Sequence, residues 1–98
     1  MGKYLLLWEM DRTRLPVSPK ERGTGMSTLL EKVKQDLKKG QLKDWGAFVG
    51  EMSGYSVHEG TEVEIMNAIQ QYTPFVQFKV HAIASVGQVD EMIKALTK

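Results

Sequence analysis

Two histidines and a strand-end glutamate are the side chains of this sequence best suited to proton transfer. His58 and His81 are the only histidines, and a histidine titrates near neutral pH, so either can move a proton or bind a ligand. Glu9 follows the apolar residues 4–8. A carboxyl group desolvated at a strand end has a raised pKa that suits general acid or base work. We therefore predict His81 and Glu9 as catalytic residues. The open alternatives are structural hydrogen bonds for the histidines, and a solvated strand end or an ion pair for Glu9.

A second set of residues is suited to ligand binding. Trp8, Trp45 and Tyr55 can line an aromatic pocket for a planar or hydrophobic ligand, and His58 is predicted to join them. Large aromatic side chains are equally typical of a dimer interface, so that alternative stays open.

Composition excludes several classes of site and partner. The chain has no cysteine, and its histidines are 23 residues apart, so we predict no metal and no cofactor. A formal net charge of +1 gives no field for nucleic acid or a membrane surface. The stretch around Phe48 lacks the stacking positions of an RNA-recognition strand. The apolar N-terminal run is too short to span a bilayer. Lack of cysteine favours a cytoplasmic protein.

The periodicity of the sequence predicts a series of strands and helices in one domain, residues 1–98. Residues 4–10 read as a central strand. A helix starts after Ser18-Pro19 and ends at Gly40. Two strands form a hairpin over residues 45–60, turning around Met52-Ser53-Gly54. A capping box at Thr61 opens a second helix with Val63, Met66, Ile69 and Tyr72 inward. Residues 75–84 alternate as a strand, and Ser85 begins a short third helix.

This order predicts an α+β domain with the ferredoxin-like βαββαβ fold. Right-handed crossovers place the two long helices on one face of a four-stranded antiparallel sheet, with a short C-terminal helix beyond it. The other face is then uncovered. Large apolar side chains must lie on it, drawn from Tyr4, Leu5, Leu6, Leu7, Trp8, Trp45, Phe48, Phe75 and Ile83. We expect His81 with Lys79, and His58 with Ser56, on this face if Tyr55 and Val57 face the helices. An exposed apolar sheet face predicts a homodimer through the sheet faces.

Several segments resemble the muconolactone isomerase-like proteins of the dimeric α+β barrel superfamily. They are Leu15-Pro16-Val17, the helix end Lys39-Gly40, Trp45, Gly54-Tyr55-Ser56-Val57 and the strand of residues 75–80. The resemblance implies a homodimer, sometimes assembled further, with a cleft between helices and sheet or within the barrel. No set of catalytic residues matches position by position.

Together these features predict a small dimeric α+β barrel protein that binds or isomerises a small carboxylated or aromatic molecule. In the alternative hypothesis the chain is a non-catalytic oligomerisation or interaction module, whose apolar sheet face serves only assembly.

Overall fold

The computed structural model describes residues 2–98 and has an α+β architecture. Its elements are β1 (Gly2–Met10), α1 (Pro19–Lys39), β2 (Leu42–Ala47), β3 (Ser53–Gly60), α2 (Glu62–Gln70), β4 (Val76–Ile83) and α3 (Val86–Leu96), with a 3-10 turn at Arg12–Arg14 between β1 and α1. All strand pairs are antiparallel and the sheet order is β2-β3-β1-β4. The predicted four-stranded sheet is confirmed, and this order is compatible with the ferredoxin-like fold.

Local sequence signals set the ends of the helices as predicted. The Ser18 hydroxyl accepts a hydrogen bond from the Glu21 N–H, with Pro19 in the first turn of α1. Gly40 ends α1 at φ 87°, a left-handed conformation that glycine adopts without a Cβ penalty. Capping boxes at Thr61 and Ser85 open α2 and α3.

The hairpin turn lies earlier than the sequence predicted. β2 ends at Ala47 and β3 begins at Ser53, so the turn comprises residues 48–52 and Gly54 is already within β3. Phe48 N–H donates to the Ser53 carbonyl at 2.8 Å and closes the turn. Gly50 within it has φ 84°.

The inward side of α2 differs from the prediction at two positions. Val63 and Met66 are each 63% exposed, whereas Ile65 is buried and Ile69 is partly buried. The buried stripe is Ile65, Ala68, Ile69 and Tyr72, a spacing of i, i+3, i+4 and i+7 that follows one side of a helix. Val63 and Met66 belong to the neighbouring stripe. The prediction was therefore wrong for them and right for Ile69 and Tyr72.

The core lies between the sheet and the helices α1 and α2. Val33 of α1, Leu42 of β2 and Tyr72 after α2 form a buried cluster. Partly buried hydrophobic side chains pack against this cluster: Leu29, Trp45, Val76 and Phe78. Along α1, Met26, Leu30 and Leu37 remain about 40% exposed. The apolar side of α1 is therefore only partly covered.

The strand register decides which side chains face the helices. Leu6 of β1 lies opposite Ser56 of β3 and Val80 of β4, and facing residues in an antiparallel pair point to the same side of the sheet. Since Leu6 is 1% exposed beneath the helices, its partners share that side. The helix side therefore includes Tyr4, Trp8, Met10, Trp45, Ser56, His58 and Phe78.

The uncovered side has an apolar centre and a polar rim. Leu5, Leu7, Tyr55 and Val57 lie together on the two central strands. Around them lie Lys3, Glu9, Asp44, Ser53, Glu59, Gln77, Lys79, His81 and Ile83. Tyr55 and Val57 thus face away from the helices, so the condition that would have put His58 on this side is not met. Trp8, Trp45, Tyr4 and Leu6, proposed from the sequence for this side, lie on the helix side instead.

The C-terminal end of the chain is exposed throughout. Every residue from Lys79 to Lys98 is exposed, although α3 is amphipathic. No other element packs substantially against α3. The principal extents are 61 × 26 × 20 Å, and the long axis is about twice the length of a nine-residue strand.

We expect Gly54→Ala to destabilise the fold. A Cβ at Gly54 would lie against the Gly46 carbonyl oxygen and 2.5 Å from Trp8 Cζ2, so the free energy of unfolding should fall by about 2–3 kcal/mol. The control is Gly25→Ala in α1, where a Cβ meets nothing within 4 Å. That change should raise stability by about 0.5–1 kcal/mol, because alanine favours helix. Urea unfolding measures both, and an unchanged midpoint for Gly54→Ala would show that the ring does not rest on this residue.

Candidate functional site

A cavity of about 420 Å³ lies between the sheet and the helices α1 and α2. The sheet forms its floor, α1 one wall and the end of α2 the other. The lining from α1 consists of Met26, Leu29, Leu30 and Val33, and the lining from the α2 side consists of Ala68, Ile69 and Tyr72. The sheet contributes Leu6, Trp8, Met10, Leu42, Trp45, Ser56, His58, Val76 and Phe78. Its size is that of a small-molecule site, and its lining is mainly apolar with a few polar groups, as such sites usually are.

A pair of stacked tryptophans forms part of the floor. The rings of Trp8 and Trp45 are 5.4 Å apart between centroids and 8° from parallel, a geometry that favours aromatic packing. Trp8 Nε1 donates a hydrogen bond to the Tyr55 carbonyl at 3.2 Å. This bond satisfies the one polar atom of the ring. The exposed ring surfaces therefore offer a flat apolar platform.

His58 and Ser56 place polar atoms on the same floor. They are 6% and 2% exposed, and His58 Nε2 lies 3.1 Å from Ser56 Oγ. Burial lowers the pKa of His58 below its usual value, and the carboxylate of Asp36 offsets this only in part. His58 is therefore mainly neutral at pH 7. A neutral imidazole has one nitrogen with a free lone pair, so it can accept a hydrogen bond or a proton.

Tyr72 and Asp36 form a second buried polar pair at the helix side of the cavity. The Tyr72 hydroxyl donates to Asp36 Oδ2 at 3.0 Å. Burial, then the negative charge and hydrogen bond of Asp36, raise the pKa of Tyr72 far above its usual value. The phenol stays protonated and its hydrogen is directed to Asp36. This pair ties α1 to the segment that follows α2.

Asp36 is buried, although carboxylates of a helix usually lie on its solvated side. Leu29, Val33 and Asp36 share one side of α1 at spacings of four and three residues. The signal that could have identified Asp36 was therefore its place on the inward stripe. The hydrophobic period is defined by apolar residues alone, so a carboxylate on the buried side of a helix is not predicted from it.

The structure brings together three of the four predicted ligand-binding residues. Trp8, Trp45 and His58 line the cavity. Tyr55 lies on the opposite side of the sheet, where its hydroxyl donates to Asp44 Oδ2 at 2.9 Å and its ring stacks on Phe48.

The two predicted catalytic residues, Glu9 and His81, lie on the uncovered side of the sheet and are exposed. Glu9 pairs with Gln77, four residues from His81 on β4, so they are about 13 Å apart along the strands. Neither lines the cavity that holds His58.

Arg14, between β1 and α1, and Arg22, in the first turn of α1, both contact groups of the segment that joins β1 to α1. Arg14 Nε lies 3.5 Å from Asp11 Oδ2, and Arg22 Nη1 donates to the carbonyls of Pro16 and Val17. Among the residues lining the cavity there is no lysine or arginine, and Glu51 is the one carboxylate.

Three further observations concern the part of the chain that the structure describes. Residues 2–98 contain no cluster of three or more histidine, aspartate or glutamate side chains placed to hold a metal ion. No helix within the same range has the length and apolar character needed to cross a membrane. No protein-family model matches the chain, and no curated protein is similar enough to match it.

The burial of His58 predicts a specific pH dependence of stability. Because the pKa of His58 is lowered in the folded state, the unfolded chain binds more protons below about pH 6.5, and stability falls as the pH drops through that range. The slope from this one group is at most about 1.4 kcal/mol per pH unit.

His58→Gln should remove this component, whereas His81→Gln, at an exposed position, should keep the wild-type dependence. Urea unfolding midpoints between pH 5 and 8 measure the effect. Identical profiles for the wild type and His58→Gln would contradict the assignment.

Proposed function

We propose that this protein binds a small, uncharged, mainly aromatic or apolar molecule in the cavity between sheet and helices. The observation that carries the proposal is an apolar cavity of about 420 Å³ whose floor holds a stacked tryptophan pair and a buried histidine. The tryptophans offer a surface for a planar ring. His58 and Ser56 offer one polar anchor that fixes the orientation of the ligand.

The lining favours an uncharged ligand over the carboxylated one considered from the sequence. A carboxylate entering the cavity would lose its water and find no lysine or arginine among the lining residues. It would also meet the negative charge of Glu51. A carbonyl or hydroxyl group has a smaller desolvation cost, and His58 or Ser56 can satisfy it with a hydrogen bond. We therefore refine the ligand class to neutral aromatic or apolar compounds with one polar substituent.

Proton transfer in this cavity is assigned to His58. It is the titratable side chain buried in the floor, and its lowered pKa keeps it ready to accept a proton at neutral pH. Ser56 acts as a positioning residue, since its hydroxyl holds the imidazole at 3.1 Å. An isomerisation that moves a proton within the ligand is the reaction this pair supports best. His81 and Glu9, on the other side of the sheet, take no part in it.

We also propose that the uncovered sheet face forms a homodimer, as in a dimeric α+β barrel. An apolar centre inside a polar rim is the usual anatomy of an interface. The edge strand β4 carries Lys79 and His81 on this face, and the opposite edge strand β2 carries Asp44. A two-fold axis parallel to the strands would place the basic edge of one copy over the acidic edge of the other. The resemblance to the muconolactone isomerase-like proteins implies the same assembly.

The alternative function, a non-catalytic oligomerisation module, has its own support. The apolar centre of the sheet face and the unpacked α3 both suit assembly. The two functions differ in one measurable property, because only the first requires the cavity to take up a ligand.

Tryptophan fluorescence tests ligand binding directly, since Trp8 and Trp45 are the only tryptophans and both line the cavity. Titration with 2-naphthol and with the anion 2-naphthoate should quench or shift the emission, with the neutral compound binding at least tenfold more tightly. His58→Gln should weaken the binding of 2-naphthol severalfold, and Lys79→Gln on the uncovered side should not change it. No saturable change with either compound would favour the oligomerisation module. Tighter binding of the anion would overturn the ligand class.

Leu7→Asp tests the sheet-face dimer. Leu7 lies at the apolar centre and is 36% exposed in a single copy, so an aspartate there should leave the fold intact but be desolvated in the dimer. We expect the dimer dissociation constant from sedimentation equilibrium to rise at least tenfold, or about 1.4 kcal/mol. Gln35→Asp on the exposed side of α1 is the matched control. An unchanged constant for Leu7→Asp would place the interface elsewhere.

A further inference from the structure

The C-terminal helix α3 has an apolar side that no other segment of residues 2–98 covers. Val86, Val89, Met92, Ile93 and Leu96 lie within one side of the helix by the 3.6-residue period, and their exposed fractions run from 41% to 90%. Glu91 and Lys94 lie on the other side. Helix formation alone does not stabilise eleven residues in water, so an amphipathic helix of this length depends on packing of its apolar side.

The strand that leads to α3 is uncovered over its last part as well. Val80 and Ala82 face the helix side of the sheet but are exposed. β4 ends at Ile83 and α3 begins at Val86, so two residues connect them. The capping box at Ser85 starts the helix immediately and leaves no slack in the connection.

The helix side of the same domain has a groove without a cover. The cavity opens between α1 and α2, and Met26 and Leu30 of the α1 wall are about 40% exposed. The groove is apolar on both walls, and no segment between residues 2 and 98 lies across it. The apolar side of α3 is therefore unpacked, and the apolar groove between α1 and α2 is uncovered.

We propose that α3 is exchanged between two copies of this chain, so that its apolar side lies over the mouth of the partner copy's cavity and completes the ligand chamber. In such an exchange each copy contributes the same helix and the same groove, and two-fold symmetry means that the helix–groove contact occurs twice. It buries two α3 helices, two exposed β4 ends and both groove walls. The apolar side of α3, Val80 and Ala82 of β4 and the lining of the groove all contribute residues to each side of this interface, and a stable interface needs roughly 20–30 residues a side.

The exchange uses the opposite side of the sheet from the proposed sheet-face contact. Leu5, Leu7, Tyr55 and Val57 are on the uncovered side, whereas the cavity is on the helix side. Variants can therefore separate the two contacts. The exchange also does not rest on ligand binding, because the apolar groove and helix need cover whether or not a ligand enters.

Engineered cysteines test the exchange, and the wild-type chain has no cysteine to interfere. Leu30→Cys on the groove wall and Met92→Cys on the apolar side of α3 are placed in separate chains with tags of different size. The two chains are co-expressed and treated with a short bis-maleimide linker. We expect a covalent heterodimer as the main product on denaturing gels. Glu91→Cys, on the polar side of α3, is the matched control and should give at least fivefold less.

A second variant checks the role of the apolar contact. Ile93→Asp in the Met92→Cys chain should reduce the heterodimer at least fivefold, and circular dichroism should show that the sheet is retained. In a single chain carrying both Leu30→Cys and Met92→Cys, a compact cross-linked monomer would show that α3 folds back onto its own groove and would overturn the proposal. Equal cross-linking through Glu91→Cys and Met92→Cys, or no heterodimer at all, would also overturn it.

Discussion

The contact between the Trp8 ring and Gly54 is the constraint on which the helix side of this protein depends. With no side chain at Gly54, the indole can lie flat against β3, and its Nε1 reaches the Tyr55 carbonyl at 3.2 Å. A flat indole at this position lets Trp45 stack on it from β2. The contact therefore spans three strands and sets the floor of the cavity. A side chain at residue 54 would lift the ring and fill the space where a ligand would lie.

Buried polar groups give the same cavity its chemical character. Two pairs, His58 with Ser56 and Tyr72 with Asp36, are satisfied by hydrogen bonds, as buried polar groups must be to avoid a large desolvation cost. Across residues 2–98, no buried side-chain polar atom lacks a partner. The Tyr72 pair holds α1 to the segment that follows α2, because the phenol proton is directed to Asp36. The imidazole of His58 has a second nitrogen, and for this reason the proposed proton transfer is assigned to His58.

The sequence predicted the positions of the helices and strands far better than it predicted which side chains of the strands face the helices. Helix ends were readable because capping is local: Ser18, Gly40, Thr61 and Ser85 act within one helical turn. The orientation of β1 was not readable, because nearly every residue from Tyr4 to Trp8 is apolar and alternation gives no signal there. Only the pairing of Leu6 with Ser56 fixes it. The same pairing places His58 on the cavity side of the sheet, whereas His81 and Glu9 lie on the uncovered side. A shift of one residue in the pairing of β3 with β1 would have moved His58 to the uncovered side.

The small size of the core bears on the proposed exchange of α3. In the part of the chain that the structure describes, six apolar side chains are buried: Leu6, Met10, Val33, Leu42, Ile65 and Tyr72. Burial of these side chains stabilises the fold, whereas ordering each residue of a chain costs backbone entropy. A helix such as α3, which adds ordered residues but buries none of its apolar side, worsens this balance in an isolated copy. Burying that side on a second copy reverses the sign of its contribution. The stability of the domain should then depend on protein concentration, and an apolar cavity beneath α3 would be enclosed only in the assembled protein.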